Sequence, residues 1–134
     1  MSVFARRLGN ALTRNRVATV PDHWDPRLRG RTYPIPFEQV WQAALTLAGG
    51  GLRRWKIVDS DDYEGVINAE SKTFFLRMVD DVQIRVTLDE DAQTRVDVLS
   101  ASRKGKTDFG TNARRIARFL RALDRKLMPP ARKS

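Results

Sequence analysis

The chain has 134 residues, with 25 Lys and Arg against 16 Asp and Glu, a net charge of +9 and no cysteine. That length suffices for one domain with its own core. The absence of Cys excludes disulfides, thiolate metal sites and cysteine nucleophiles, and the sequence has no apolar run of about 18 residues from which a spanning helix would be expected. The charge is segregated: residues 1–31 carry seven basic and two acidic side chains, residues 32–102 seven and twelve, and residues 103–134 eleven and two. Basic ends flanking an acidic middle suit an anionic partner, and they equally suit a solvated surface with no partner at all.

Phe4, Leu8, Ala11 and Leu12 recur at helical spacing among Arg6, Arg7, Arg14 and Arg16, which predicts a short basic amphipathic helix. A loop follows, in which Pro21 and Pro26 fix an extended path and Trp24 is expected to anchor against the core or a partner. Asp22, the single His23 and Asp25 make only a weak metal set, because no second His and no Cys supports them; no metal or cofactor is expected. Arg31 to Pro36 reads as an edge strand, confined there by its prolines. Pro36 then opens a helix through Phe37, Val40, Trp41, Ala44, Leu45 and Ala48, which the glycines at 49–51 end. These glycines follow a helix, whereas a phosphate-cradling loop precedes one.

From Trp55 the period falls to two. Strands are predicted from Arg54 to Val58, Tyr63 to Ser71, Phe74 to Met78, Val82 to Leu88 and Thr94 to Val98. Asp59 to Asp62, Asp80-Asp81 and Asp89 to Gln93 read as the turns between them, and connections this short require antiparallel pairing. Asp108 is the expected N-cap of a long helix. Phe109, Ala113, Ile116, Leu120, Leu123 and Leu127 form its apolar stripe, Arg114, Arg118, Arg121 and Arg125 the opposite one, and Pro129-Pro130 stop it. The order strand, helix, meander of four or five strands, helix predicts an α+β fold: one antiparallel sheet with two helices on one face, similar to helix-grip and TATA-box-binding-protein-like folds. Residues 1–31 are read as a basic extension, 32–128 as the single α+β domain and 129–134 as a loose basic tail.

Between the last strand and the long helix, Ser100, Ser102, Arg103, Gly105, Asp108, Gly110, Asn112 and Arg115 crowd into one connection. Together with Asp80-Asp81, and with Ala69-Glu70 after a Trp-bearing strand, they match a run Ser-x-Ser-Arg-x-Gly-x-x-Asp-x-Gly-x-Asn-x-x-Arg-Ile. In this the chain resembles the bacterial and plastid family called domain of unknown function 1499, over roughly residues 32–127. The resemblance implies a fold and a set of residues, and no reaction.

Ser100 and Ser102 are conceivable nucleophiles, but no base is poised beside them and the only His is distant in sequence. The simpler reading of the motif is structural: Asp108 caps, Gly105 and Gly110 permit tight backbone, Asn112 satisfies a loop carbonyl, and Arg115 pairs with Asp80 or Asp81. The sequence therefore predicts a non-catalytic accessory or binding domain. It would dock through Arg6, Arg7, Arg14, Arg16 and the Arg114, Arg118, Arg121, Arg125 stripe on an acidic protein or an anionic membrane surface, at a cytoplasmic, peripheral location. The alternative is a carrier of a small apolar or lipidic ligand between sheet and long helix, lined by Trp41, Trp55, Phe74, Leu76 and Met78. Sequence-specific nucleic-acid binding is not expected, because the basic helix lacks interleaved aromatics and the strands are acidic.

Overall fold

The computed structural model describes residues 16–73, 78–103 and 110–129. Strands β1 (Arg16–Ala18), β2 (Arg31–Tyr33), β3 (Trp55–Asp61), β4 (Val66–Lys72), β5 (Val79–Leu88) and β6 (Thr94–Ser102) form one six-stranded sheet. Every pairing is antiparallel, as the short connections require. The order runs β1-β6-β5-β4-β3, and β2 also pairs with β6. The two three-residue strands share one edge of β6 end to end: β2 lies along Thr94–Val96 and β1 along Leu99–Ala101.

β1 corrects the sequence reading. The segment expected to be helical enters the sheet by Arg16, so Arg16 is an exposed strand residue and no part of a basic helix. Thr19 continues the pairing, donating its amide to the Val98 carbonyl (2.9 Å) while its hydroxyl bonds Asp97 (2.8 Å). Arg6, Arg7 and Arg14 lie outside the described residues, as do Phe74, Phe75 and Leu76 of the predicted third strand.

Helices α1 (Phe37–Thr46) and α2 (Thr111–Leu127) cover one face of the sheet. Register explains why that face is apolar. Ile67, Ile84 and Val98 lie side by side across three strands, as do Ala69 and Val82, and alternation sends all of them to the helices. Val40, Trp41 and Ala44 of α1 and Ile116, Phe119, Leu120 and Leu123 of α2 complete a single core. Trp55 stacks on Phe119 with ring centroids 5.5 Å apart, and Phe37 on Trp41 at 5.7 Å. The opposite face is polar: Asn68 bonds Asp59 and Gln83, and Arg95 pairs with Asp97.

α1 runs into a five-residue wide turn, Leu47–Gly51, where Gly50 takes φ 122 and the chain reverses towards β3, so the triple glycine does end the helix. Gly65, at φ 72, lets the β3–β4 turn lie against the Val86 carbonyl, which a Cβ would overlap. α2 starts at Thr111 with Gly110 at its cap position, φ 78; Asp108, the expected cap, and Phe109 are outside the described residues. The Asp22–Asp25 loop also differs from expectation. Trp24 is 84% exposed, against His23 and not against the core. Asp25 is engaged by Arg27, which donates from Nη2 at 2.8 Å, and this pairing lowers the Asp25 pKa.

β2 is tied to α2 by a partly buried contact. Tyr33 donates its hydroxyl to Asp124 Oδ1 at 2.6 Å, and Arg31 Nε reaches Oδ2 at 3.0 Å. Burial, then the bond to Asp124, pushes the Tyr33 pKa up from its ordinary value near 10. Because the native state holds this proton more tightly, its contribution to stability is complete below the unfolded pKa of about 10. It is lost as pH rises from there through the raised native value. An ultraviolet titration should show delayed tyrosinate formation that disappears in Tyr33→Phe; identical titration curves for the two proteins would refute the assignment.

Candidate functional site

The motif residues meet at one end of the sheet, where β5 begins, β6 ends and α2 sets out. Asp80 and Asp81 were expected to form a turn; they are instead the second and third residues of β5, paired with Ser102 and Ala101. The strand's period of two sends these neighbours to opposite faces, and each meets a different arginine.

On the helix-covered face, Asp80 binds Arg115 Nη2 at 2.8 Å. Arg115 Nη1 also donates to Ser100 Oγ (3.1 Å) and to Asn112 Oδ1 (2.9 Å). Ser100 Oγ donates to the same Asn112 Oδ1 at 2.7 Å, while Asn112 Nδ2 donates to Ser102 Oγ at 3.0 Å. Ser100 and Asn112 are fully buried, and Asp80, Ser102 and Arg115 nearly so. Asn112 therefore joins two strand hydroxyls to the helix; the loop at 104–109, whose carbonyl it was expected to satisfy, lies outside the described residues. On the polar face, Arg103 Nη2 binds Asp81 Oδ1 at 2.8 Å and Glu70 Oε2 at 3.0 Å. The hydrogen bonds to Asp81 are the main cause of its raised pKa. Of the remaining motif residues, Gly110 holds the α2 cap position, and Gly105 and Asp108 are not described.

This network is a clamp. It satisfies every buried polar side chain it contains and fixes the first turn of α2 over the ends of β5 and β6. Within it the Ser100 hydroxyl is inaccessible and is bonded to an amide and a guanidinium, neither of which takes a proton at neutral pH.

Beside the clamp opens a cavity of about 160 Å³, far above the roughly 10–15 Å³ that one water needs. Arg53, Arg54, Lys72, Arg114, Arg115 and Arg118 line it, and among the described residues no acidic side chain does. Trp55 forms a wall, and Thr73 and Thr111 contribute hydroxyls. A second cavity of about 190 Å³ adjoins it through Arg54, Trp55 and Lys72. Three elements converge here. The Trp55–Ser71 pairing brings the residues before β3 against the end of β4, with the Lys72 amide on the Arg54 carbonyl at 3.0 Å. The clamp supplies the third element, the first two turns of α2. Arg54 takes φ 66, a left-handed backbone that costs a side-chain-bearing residue about 1–2 kcal/mol. The first turn of α2 holds no acidic residue to offset the helix dipole, and carries Arg114 instead.

The predicted basic stripe is present as a surface: Arg114, Arg118, Arg121 and Arg125 are all exposed on α2. Of the proposed ligand lining, Trp41 is buried in the core, Trp55 is buried there and also walls the cavity, Met78 is half-buried, and Phe74 and Leu76 lie outside the described residues. Sequence reasoning missed Arg53, Arg54 and Lys72. Their only local signal is a pair of arginines ahead of a strand, and Lys72 joins them only through the β3–β4 register.

A single antiparallel sheet with two helices on one face, pinned by an Asp-Asp, Ser-x-Ser-Arg and Asn-x-x-Arg clamp, defines the class of this domain. The model of one protein family, described as protein of unknown function (DUF1499), matches residues 10–123, and the chain belongs to that family. No curated protein and no solved structure matches the chain. Among the described residues, no helix is long and apolar enough to cross a membrane, and no group of three or more His, Asp or Glu is placed to hold a metal.

Proposed function

We propose that this chain is a non-catalytic binding domain that docks on an anionic membrane surface, at a cytoplasmic, peripheral location, through the basic flank of α2. The observation that carries the reading is the continuity of positive charge. Arg114 and Arg118 belong both to the arginine-lined cavity and to the exposed stripe that runs on through Arg121 and Arg125. Clustered guanidinium groups suit phosphate oxygens, which they meet with paired N–H donors, and this favours a phospholipid surface over a carboxylate-rich protein. The long helix lying across one face of an antiparallel sheet is in keeping with a helix-grip arrangement, in which the outer face of the helix is the free one. The carrier reading draws no support from the layer between sheet and α2, which Ile116, Phe119, Leu120 and Leu123 fill with no exposed surface.

Each basic side chain near an anionic leaflet contributes about 1 kcal/mol, so four together are worth up to a factor on the order of a thousand in partition. In sedimentation with phosphatidylglycerol-containing vesicles, the protein should bind at low salt and be released as salt shortens the screening length. Reversing Arg114, Arg118, Arg121 and Arg125 to Glu should abolish binding. Equal binding to purely zwitterionic vesicles, or binding retained by the fourfold variant, would overturn the proposal. Salt-sensitive binding to polyglutamate but to no vesicle would transfer the docking to an acidic protein.

A further inference from the structure

We infer that the loop joining β1 to β2 is an interfacial anchor that seats the Trp24 ring among the headgroups of a phospholipid bilayer. It rests on the membrane-docking reading for the force that brings the loop to the bilayer.

A single exposed aromatic needs no function. Three observations set Trp24 apart. First, the ring is 84% exposed, yet the loop that carries it is tightly bonded. Val20 donates its amide to the Leu28 carbonyl at 2.9 Å and closes the loop on itself. On either side of Trp24, Arg29 Nε donates to the His23 carbonyl at 2.7 Å and the Asp25 amide to His23 Nδ1 at 3.0 Å. Leu28 is buried in the core, and Arg95 Nη2 of β6 holds the Arg29 carbonyl at 3.0 Å. Gly30, at φ 75, lets the chain pass so close to β6 that a Cβ would come within 2.9 Å of the Val96 carbonyl. A loop fixed this way loses its freedom on folding, so presenting Trp24 to a partner costs little further ordering.

Second, an indole has an apolar body and one N–H donor, the combination that collects at bilayer interfaces. The other exposed apolar residues of the loop are only Val20, Pro21 and Pro26. A stable protein interface buries roughly 800 Å² per partner, with such a ring near its centre. A bilayer interface accepts a lone protruding ring and needs no matching pocket. Third, the loop flanks the arginine helix. Its Pro26–Leu28 turn packs against α2, and Arg31 and Tyr33, just beyond the loop, hold Asp124. At about 100° per residue, Asp124 lies a quarter-turn round α2 from the Arg114, Arg118, Arg121, Arg125 stripe. The two surfaces divide the work. Two aspartates balance two arginines in residues 20–30, so the stripe supplies an attraction that salt screens and Trp24 an apolar contact that salt leaves intact.

The test joins vesicle partition to fluorescence, with the full chain. Trp41 and Trp55 are buried, so lipid-borne quenchers read Trp24. On phosphatidylglycerol-containing vesicles the emission should move to shorter wavelength, and brominated lipid should quench it; both effects should vanish in Trp24→Ala. That substitution should weaken partition about tenfold, as expected for burying most of a large ring, and by the same factor at low and raised salt. Tyr63→Ala removes a ring that is 92% exposed on the β3–β4 turn, at the other side of the sheet, and should leave partition within about twofold. Unchanged partition of Trp24→Ala, with no quenching of the wild type by brominated lipid, overturns the anchor and leaves the docking flank standing. Binding that survives reversal of the four stripe arginines to Glu, but not Trp24→Ala, supports the anchor and refutes docking through the stripe. No binding to any vesicle overturns both. Self-association that shields Trp24 and disappears in Trp24→Ala gives the ring to a second copy of the chain, and also overturns the anchor.

Discussion

Replacing Arg115 by alanine should lower the unfolding free energy by about 3–5 kcal/mol, the usual cost of stranding one member of a buried ion pair. Asp80 is 3% exposed, and Arg115 meets it at 2.8 Å. Without the guanidinium, Asp80 keeps a charge that water cannot reach, and Ser100 Oγ and Asn112 Oδ1 each lose a donor. Urea denaturation reads the effect as a fall in midpoint with little change in slope. The pairing itself is checked by the double variant Asp80→Asn/Arg115→Met. Removing both charges should cost clearly less than the two single substitutions added together. A loss below about 1 kcal/mol for Arg115→Ala, or strict additivity in the double variant, would mean that the clamp does not hold the fold.

The second large effect belongs to the core. Phe119→Ala should cost about 3–5 kcal/mol, as expected when a fully buried aromatic leaves a cavity. Phe119 has no exposed surface and stacks on Trp55 at an interplanar angle of 16°. Since Trp55 is also the cavity wall, the change should reach beyond stability. The Trp55 ring loses its support, and the emission of a Trp24→Phe/Trp41→Phe background, which reports Trp55 alone, should shift to longer wavelength. An unchanged spectrum would separate the core from the cavity; a stability loss under about 1 kcal/mol would mean that the site collapses freely around the missing ring.

Much of the sheet could be read from the residues because strands of this kind announce themselves locally. Val82, Ile84 and Val86 alternate with Gln83 and Arg85, and the structure buries the first set and leaves the second half-exposed or exposed. The α2 stripe of Ile116, Leu120 and Leu123 is legible for the same reason, with the helical period. Asp80 and Asp81 were misread as a turn because carboxylates are rare inside strands. Their place in β5 depends on two arginines lying 22 and 35 positions further on. β1 was missed on similar grounds. Three residues carry no usable periodicity, and Arg16–Ala18 is a strand only because β6, more than 80 residues later, offers it an open edge.

The amino-acid sequence by itself determined the α+β class, the antiparallel meander, the amphipathic final helix with its arginine stripe, and the set of residues that mark the family. These are all properties of short windows, set by backbone period and side-chain chemistry within a turn or a strand. Only the tertiary structure decided that Asp80 belongs to Arg115 while Asp81 belongs to Arg103, that β1 and β2 share one edge of β6, and that Arg53, Arg54 and Lys72 face Arg114 and Arg118 across one recess. Such juxtapositions depend on strand register and on where a helix sets down on its sheet. Both are fixed by burying one common core, and not by any residue's near neighbours in the chain.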